Sequence, residues 1–106
     1  MKNDYLRDLV LLRKDPQLAG RVLQQACAGN VTAQYTMGPI LDEGRGVPVD
    51  LVKAWAWLTV AVLQGNRAAV TLRNIVGSQL TDAEFEAGKR CAADYEKLPR
   101  TASDSH

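Results

Sequence analysis

The chain has 106 residues, with 13 Lys and Arg against 12 Asp and Glu, and therefore a formal net charge of +1. This length suits a single domain with one modest core, and 46% hydrophobic and 24% charged residues are ordinary for a globular protein. The near-neutral balance offers no strong positive field that would attract nucleic acid or an anionic membrane.

The scarcest residue types argue against most hydrolases and metalloenzymes. His106 is the single histidine and the last residue, whereas a Ser/His/Asp triad needs a histidine that is held inside a formed site. The two cysteines, Cys27 and Cys91, are too far apart in sequence for a zinc motif, which needs about four clustered ligands. We therefore expect a non-enzymatic protein with no catalytic residue, no cofactor and no metal. An enzyme that uses carboxylates with Tyr or Cys is a less favoured alternative.

No targeting segment is recognised near the start of the sequence. The longest apolar run there, Leu9 to Leu12, is too short for the core of a signal peptide or for a membrane span. Widely separated cysteines are typical of free thiols in a reducing compartment, with a disulfide between them as the alternative. These features predict a cytoplasmic protein that neither inserts into a membrane nor binds nucleic acid.

Helix starts and stops follow one another at regular intervals along the chain. Asp15-Pro16 is typical of a helix N-terminus, and both Gly29-Asn30 and Gly65-Asn66 end one helix and cap the next. Thr81-Asp82-Ala83-Glu84 has the form of a capping box. Because no segment alternates polar and apolar residues as a strand does, we predict an all-α fold. Six helices are predicted, followed by a disordered tail at 99–106; the helices are at residues 4–13, 16–28, 31–43, 51–64, 67–79 and 82–97.

The fourth predicted helix, at residues 51–64, is apolar on nearly every side. A helix of that kind is buried from several directions, so we predict that it is the central helix and that Trp55 and Trp57 belong to the core. It also carries an apolar stripe, formed by Ala56, Val60 and Leu63. We predict that the last helix covers this stripe, using Phe85, Cys91 and Tyr95. The alternative is a surface for a partner or for self-association, with the tryptophans as anchors.

A short motif recurs with a fixed spacing. Gly29, Asn30 and Ala33 have counterparts 36 residues later, which are Gly65, Asn66 and Ala69. A period of about 36 residues with two helices in each unit is typical of an α-solenoid, because one helix pair cannot bury both of its faces alone. The pattern therefore predicts stacked helix pairs, with small residues where the helices approach each other closely.

A second pattern of small, loop and anchoring residues surrounds this motif within residues 28–98. These residues are Ala33, Gly38, Gly44, Gly46, Asp50, Ala54, Trp57, Ala61, Gly65 and Ala69. In combination they resemble the Sel-one-like repeat, a branch of the tetratricopeptide-like solenoids. The resemblance implies a right-handed stack of about three antiparallel helix pairs, with two helices in each. The helix stop signals alone predict a degenerate leading helix pair at residues 1–27, so that residues 1–98 would form a single domain.

Proteins with this repeat commonly act as adaptors that bind other proteins in signalling, envelope assembly and secretion. Matching Met37-Gly38 to the leucine–glycine pair of tetratricopeptide repeats implies a concave inner surface that takes residues from two helices. These residues are Thr32, Tyr35, Pro39, Asp42 and Glu43 from one unit and Ala68, Thr71 and Ile75 from the next. The resemblance thus implies a mildly acidic face that binds an extended peptide or a helix of a partner protein, including one with a basic end.

Two features bear on this expectation. Pro39 lies in the middle of a predicted helix, where proline removes one backbone hydrogen bond and costs about 3 kcal/mol unless the helix kinks. The array is also short, and short solenoids need polar caps or partners at their ends. The alternative function is therefore a homodimer in which the ends of the solenoid self-associate. Its docking face would lie on the first predicted helix, at Leu6, Leu9, Val10 and Leu12.

Three other features have both a functional and a structural interpretation, and we favour the structural one for each. Gly44-Arg45-Gly46 lacks the Gly-Lys-Ser/Thr that completes a phosphate-binding P-loop, so we predict a turn between helices. Asp42-Glu43 is a pair of acidic residues at a helix end, which is typical of a solvated surface rather than of a catalytic pair. Cys27 and Cys91 fall on apolar helix faces and are predicted to act as small hydrophobic residues rather than as a redox pair.

Overall fold

The fold comes from a computed structural model that describes residues 16–98, with side chains from residue 17 onward. Five α-helices occur in this range: α1 at Pro16–Cys27, α2 at Val31–Glu43, α3 at Leu51–Leu63, α4 at Ala68–Gly77 and α5 at Asp82–Glu96. No β-strand occurs between residues 16 and 98, which confirms the all-α class for that range. The predicted helix at 4–13 and the predicted tail at 99–106 lie outside the described residues.

The turn between α1 and α2 is closed by glycine and asparagine. Gly29 has a φ of 104°, a left-handed conformation that glycine adopts without steric cost. The side chain of Asn30 accepts a 2.8 Å hydrogen bond from the backbone N–H of Ala33 and so caps α2. The backbone N–H of Asn30 donates to the carbonyl of Gln25, five residues earlier, at 3.0 Å.

The turn between α3 and α4 repeats this arrangement. Gly65 has a φ of 101°, and the side chain of Asn66 accepts a 3.1 Å hydrogen bond from the backbone N–H of Ala69. The backbone N–H of Asn66 donates to the carbonyl of Ala61, again five residues earlier, at 2.9 Å. The motif that recurs after 36 residues in the sequence therefore forms the same hydrogen bonds at both places.

The loop between α2 and α3 is held by glycine at one end and by a carboxylate cap at the other. Gly44 ends α2 with a φ of 71°, and its N–H donates to the carbonyl of Ile40. Gly46 also has a positive φ, of 84°. Asp50 is the N-cap of α3, because its side chain accepts a 3.0 Å hydrogen bond from the backbone N–H of Lys53.

α3 lies at the centre of the described helices and contacts α2, α4 and α5. This position follows from its sequence, because a helix with apolar side chains on every side is stable only where neighbours cover it on several sides. Its buried residues are Ala54, Trp55, Ala56, Trp57, Leu58, Val60 and Ala61.

α5 packs its aromatic side chains on the two tryptophans of α3. The rings of Tyr95 and Trp57 are stacked, with centroids 4.0 Å apart and an interplanar angle of 13°. Phe85 meets Trp55 edge to face, with centroids 5.0 Å apart and an angle of 63°. The prediction that α5 covers the whole apolar stripe of α3 is wrong for Leu63, which is 61% exposed, although the other two residues of the stripe are buried. Leu63 is the last residue of α3, and the chain turns away at once.

A buried polar side chain links the ends of three helices. Gln34 of α2 donates from its side-chain amide to the backbone carbonyl of Ala26 in α1, at 3.1 Å, and its amide oxygen accepts from the side chain of Gln64 after α3. Ala26 precedes the first glycine–asparagine turn and Gln64 precedes the second, so this bridge joins the two equivalent turns. The side-chain nitrogen and the side-chain oxygen of the buried Gln34 each have a hydrogen-bond partner. Its burial therefore avoids the free-energy cost of an unpaired polar group.

α2 and α3 approach each other most closely beside Gly38. A Cβ atom placed on Gly38 would lie 2.5 Å from Cδ2 of Leu58, whose side chain is fully buried. The helix also runs without a break through the adjacent Pro39. The absence of a side chain at residue 38 therefore sets the separation between these two helices.

We predict that Gly38→Ala destabilises the protein and that Gly20→Ala does not. The new methyl group at residue 38 would overpack Leu58, at a cost of about 1–3 kcal/mol, which exceeds the gain from better helix propensity. Gly20 is the matched control, because it lies in α1 and a Cβ atom there would have no neighbour within 4 Å. It should gain up to about 1 kcal/mol. Urea unfolding measures both; a Gly38→Ala variant as stable as the control would contradict the close approach.

Candidate protein-binding surface

The residues predicted for the inner surface lie on α2 and α4, two helices that contact each other directly. On α2 they share one face because their spacing follows the helical period; they are Thr32, Tyr35, Pro39, Asp42 and Glu43. On α4 they are Ala68, Thr71 and Ile75. Tyr35, Pro39 and Asp42 are half-buried and the others are exposed, so solvent reaches this face of the described residues.

A small hollow of about 40 Å³ lies where the two helices meet. Pro39, Asp42 and Glu43 line it from α2, while Leu72 and Val76 line it from α4. Three residues predicted for the inner surface therefore meet α4. The α4 residues beside them, Leu72 and Val76, are not among those that the sequence analysis predicts for this surface. The signal at these two positions is an apolar pair four residues apart, which is typical of a core face and so does not point to a binding site.

The two acidic residues at the end of α2 differ in what they bind. Nε and Nη2 of Arg45 both donate to Oε1 of Glu43, at 2.8 and 2.6 Å. The Arg45 side chain is only 11% exposed, so the loop holds this ion pair in place. The Asp42 side chain, by contrast, forms no hydrogen bond or ion pair with any residue between 16 and 98. Asp42 is therefore the acidic residue of this face whose side chain has no partner between residues 16 and 98.

A larger groove, of about 340 Å³, lies on a different side of α2. Trp57 and Tyr95 line it, and its exposed large hydrophobic residues are Leu23 of α1 and Val49 of the α2–α3 loop, at 40% and 58%. None of the residues predicted for the inner surface lines it. The sequence signal for the groove is the apolar loop segment Val47-Pro48-Val49. The groove opens beside the first turns of α1, where the described part of the chain begins.

Cys27 and Cys91 are free, half-buried thiols. Burial raises the pKa of the Cys27 thiol, which disfavours its reactive thiolate form at neutral pH. Burial, followed by a hydrogen bond to Cys91, also raises the pKa of the Tyr95 hydroxyl above its usual range. Burial therefore favours the neutral forms of the Cys27 thiol and the Tyr95 hydroxyl.

The described residues contain neither a cluster of metal-ligating side chains nor a helix that could span a membrane. Between residues 16 and 98, no group of three or more His, Cys, Asp or Glu side chains is arranged to hold a metal ion. Within the same range, every helix is too short or too polar to cross a membrane.

The chain is similar to part of a known protein. Over 69 residues, which are 65% of this chain, it is 30% identical to the alginate biosynthesis protein AlgK of Azotobacter vinelandii. It spans 15% of the length of that protein. No family model matches the chain, and no solved structure matches it. This similarity and the helical fold of residues 16–98 are consistent with a protein built from helical repeats.

We predict that Tyr95→Phe changes how the stability of the protein depends on pH. The raised pKa of Tyr95 means that folding favours its neutral form; this contribution is complete below the unfolded pKa of about 10 and is lost as the pH rises above it. The free energy of unfolding of the wild type should therefore fall above about pH 10 more steeply than that of Tyr95→Phe, which keeps the ring on Trp57.

Urea unfolding of both proteins at neutral and at high pH measures this difference. Cys27 is present in both, so its own raised pKa cancels in the comparison. If the two stability curves run parallel across the whole range, the hydroxyl of Tyr95 is not held neutral by the fold.

Proposed function

We propose that this protein is a protein-interaction module of the Sel-one-like repeat type, which binds a segment of a partner protein on the face shared by α2 and α4. The observation that carries the proposal is the glycine–asparagine turn that occurs with the same hydrogen bonds before each of these helices. Repeat proteins bind partners on surfaces formed by equivalent elements of successive units. The free thiols of the described chain are in keeping with action in the cytoplasm.

The packing of the helices supports a solenoid of antiparallel pairs. α2 and α4 follow equivalent turns, and they contact each other, as the leading helices of successive repeats do. Ala33 and Ala69 occupy equivalent positions in these two helices, and both are buried. Small side chains at these positions allow each leading helix to lie close to its neighbours.

The chemistry of the α2–α4 face indicates the kind of segment that it binds. The hollow beside Pro39 has room for the end of one small apolar side chain, and Ile75, which is 51% exposed, adds apolar surface nearby on α4. Asp42 supplies a carboxylate beside the hollow. We therefore propose a partner segment, extended or helical, that carries an apolar residue next to a Lys or Arg side chain.

The similarity to part of an alginate biosynthesis protein supports a module of the repeat type. The chain spans 15% of the length of that protein, so the similarity supports the module and does not extend to the activity of the whole relative. A role in alginate biosynthesis is therefore a proposal for this chain that only identification of its partner can test.

A homodimer is the second candidate function. The observation that favours it is the groove between α1 and α3, with the exposed apolar side chains of Leu23 and Val49. Two copies that met at this groove would remove these side chains from water. Light scattering at high micromolar concentration decides the matter: a monomer mass would remove the homodimer and leave the binding module.

We predict that Asp42→Asn weakens binding of the partner protein and leaves the stability of the fold unchanged. The substitution removes a charge and keeps the size of the side chain, and no contact within residues 16–98 depends on that charge. Affinity purification from the native cell with mass spectrometry identifies the partner. Calorimetry with the purified partner should then show a loss of affinity of about tenfold, the value expected for one charge-assisted hydrogen bond.

Asp94→Asn is the matched control, because Asp94 is an exposed acidic residue on α5 rather than on the α2–α4 face. Tyr35→Ala provides a second variant on the proposed face. Thermal unfolding followed by circular dichroism checks that all three variants fold. Unchanged affinity of both Asp42→Asn and Tyr35→Ala would show that the partner binds elsewhere.

A further inference from the structure

An open depression of about 440 Å³ lies where α3, α4 and α5 meet. Trp55 of α3 and Phe85 of α5 line it on two sides, and the remaining lining residues come from the end of α4: Arg73, Asn74, Gly77 and Ser78. The depression is separate from the α2–α4 face, because it shares no lining residue with the hollow beside Pro39.

The indole of Trp55 presents an unused hydrogen-bond donor to this depression. Trp55 is 8% exposed, and its N–H donates no hydrogen bond to any residue of the described chain. Nε1 of Trp55 is not among the buried polar atoms of the described chain that lack a partner, so this N–H is accessible from the depression rather than sealed in the core. The fold of residues 16–98 thus leaves a place for an acceptor that comes from outside the chain.

Two glycines determine how the neighbouring helices meet this indole. A Cβ atom on Gly88 of α5 would lie 2.9 Å from Cε3 of Trp55, so the absence of a side chain at residue 88 lets α5 approach the six-membered ring closely. A Cβ atom on Gly77 of α4 would lie 3.1 Å from Nε1 itself. Because residue 77 has no side chain, the N–H of Trp55 keeps its opening into the depression.

Arg73 adds positive charge beside the indole. Its Nη2 donates to the side-chain oxygen of Asn74 across 3.5 Å, a long hydrogen bond, and Arg73 forms no ion pair with any described residue. The residues that line the depression include no carboxylate. A guanidinium with several donors still available and a neutral N–H donor therefore face the same space.

We propose that this depression binds the side-chain carboxylate of a Glu or Asp residue in a partner protein. One carboxylate oxygen would accept from the indole N–H of Trp55, and the guanidinium of Arg73 would bind the same group, a geometry that suits arginine and carboxylate. Phe85 provides an apolar wall for the residue next to the acid. An open depression, rather than a closed slot, accommodates a chain that continues on both sides of the bound side chain.

The test uses three peptide probes with the purified protein: acetyl-Leu-Glu-Leu-amide, its neutral counterpart acetyl-Leu-Gln-Leu-amide, and acetyl-Leu-Leu with a free terminal carboxylate. The readout is the NMR signal of the indole N–H of Trp55, assigned with a Trp55→Phe variant. We expect the Glu peptide to shift this signal and to leave that of Trp57 in place. It should bind about tenfold more tightly than the Gln peptide, as expected for charged hydrogen bonds.

Two variants and a control complete the experiment. Arg73→Gln should weaken binding of the Glu peptide about tenfold, because it removes the charge from the rim of the site. Gly77→Ala should weaken it by a similar factor, since the methyl group would stand in front of Nε1 of Trp55. Gly20→Ala, at an open position of α1, should bind as the wild type does. Thermal unfolding shows which variants are folded, and Arg73→Gln alters a surface side chain, so it keeps the test informative if Gly77→Ala unfolds.

Three results would overturn the proposal. The first is a Trp55 signal that does not move with the Glu peptide at millimolar concentration. The second is equal affinity for the Glu and Gln peptides, or for wild type and Arg73→Gln, because either would show that charge plays no part. The third is tighter binding of acetyl-Leu-Leu than of the Glu peptide, which would make a chain terminus the ligand.

Discussion

The burial of α3 on several sides is the constraint on which the rest of the described fold depends. Its large apolar side chains must be kept from water. Each of the three helices that cover α3 has a glycine where it contacts one of these side chains. Gly38 of α2 lies against Leu58, while Gly77 of α4 and Gly88 of α5 lie against Trp55. The neighbouring helices can therefore approach α3 closely because they have no side chain at the contact position, and the packing around this hydrophobic helix is dense.

The parts of the fold that could be predicted from sequence are those with local causes. The capping bonds of Asn30 and Asp50 join residues three positions apart, so the sequence predicts where α2 and α3 begin. The central position of α3 also follows from its own composition, since the helix has almost no polar face that could lie against water.

The remaining features depend on how elements are placed relative to one another. Leu63 has the same character as its buried neighbours, and its exposure depends only on where α3 ends and what lies beside that end. The bond between Glu43 and Arg45 depends on the path of the glycine loop between them. The sequence predicts that Trp55 lies in the core, and the residue is buried, but the accessibility of its N–H follows from the position of Gly77 on another helix.

The two tryptophans of α3 also give the protein a natural optical probe. They are the only tryptophans in the chain, and both are packed in the fold, Trp57 on Tyr95 and Trp55 on Phe85. Since both of those partners belong to α5, separation of α5 from α3 would bring two indoles into water at once. Intrinsic fluorescence would then report the detachment of α5 through a large shift in emission, without any label.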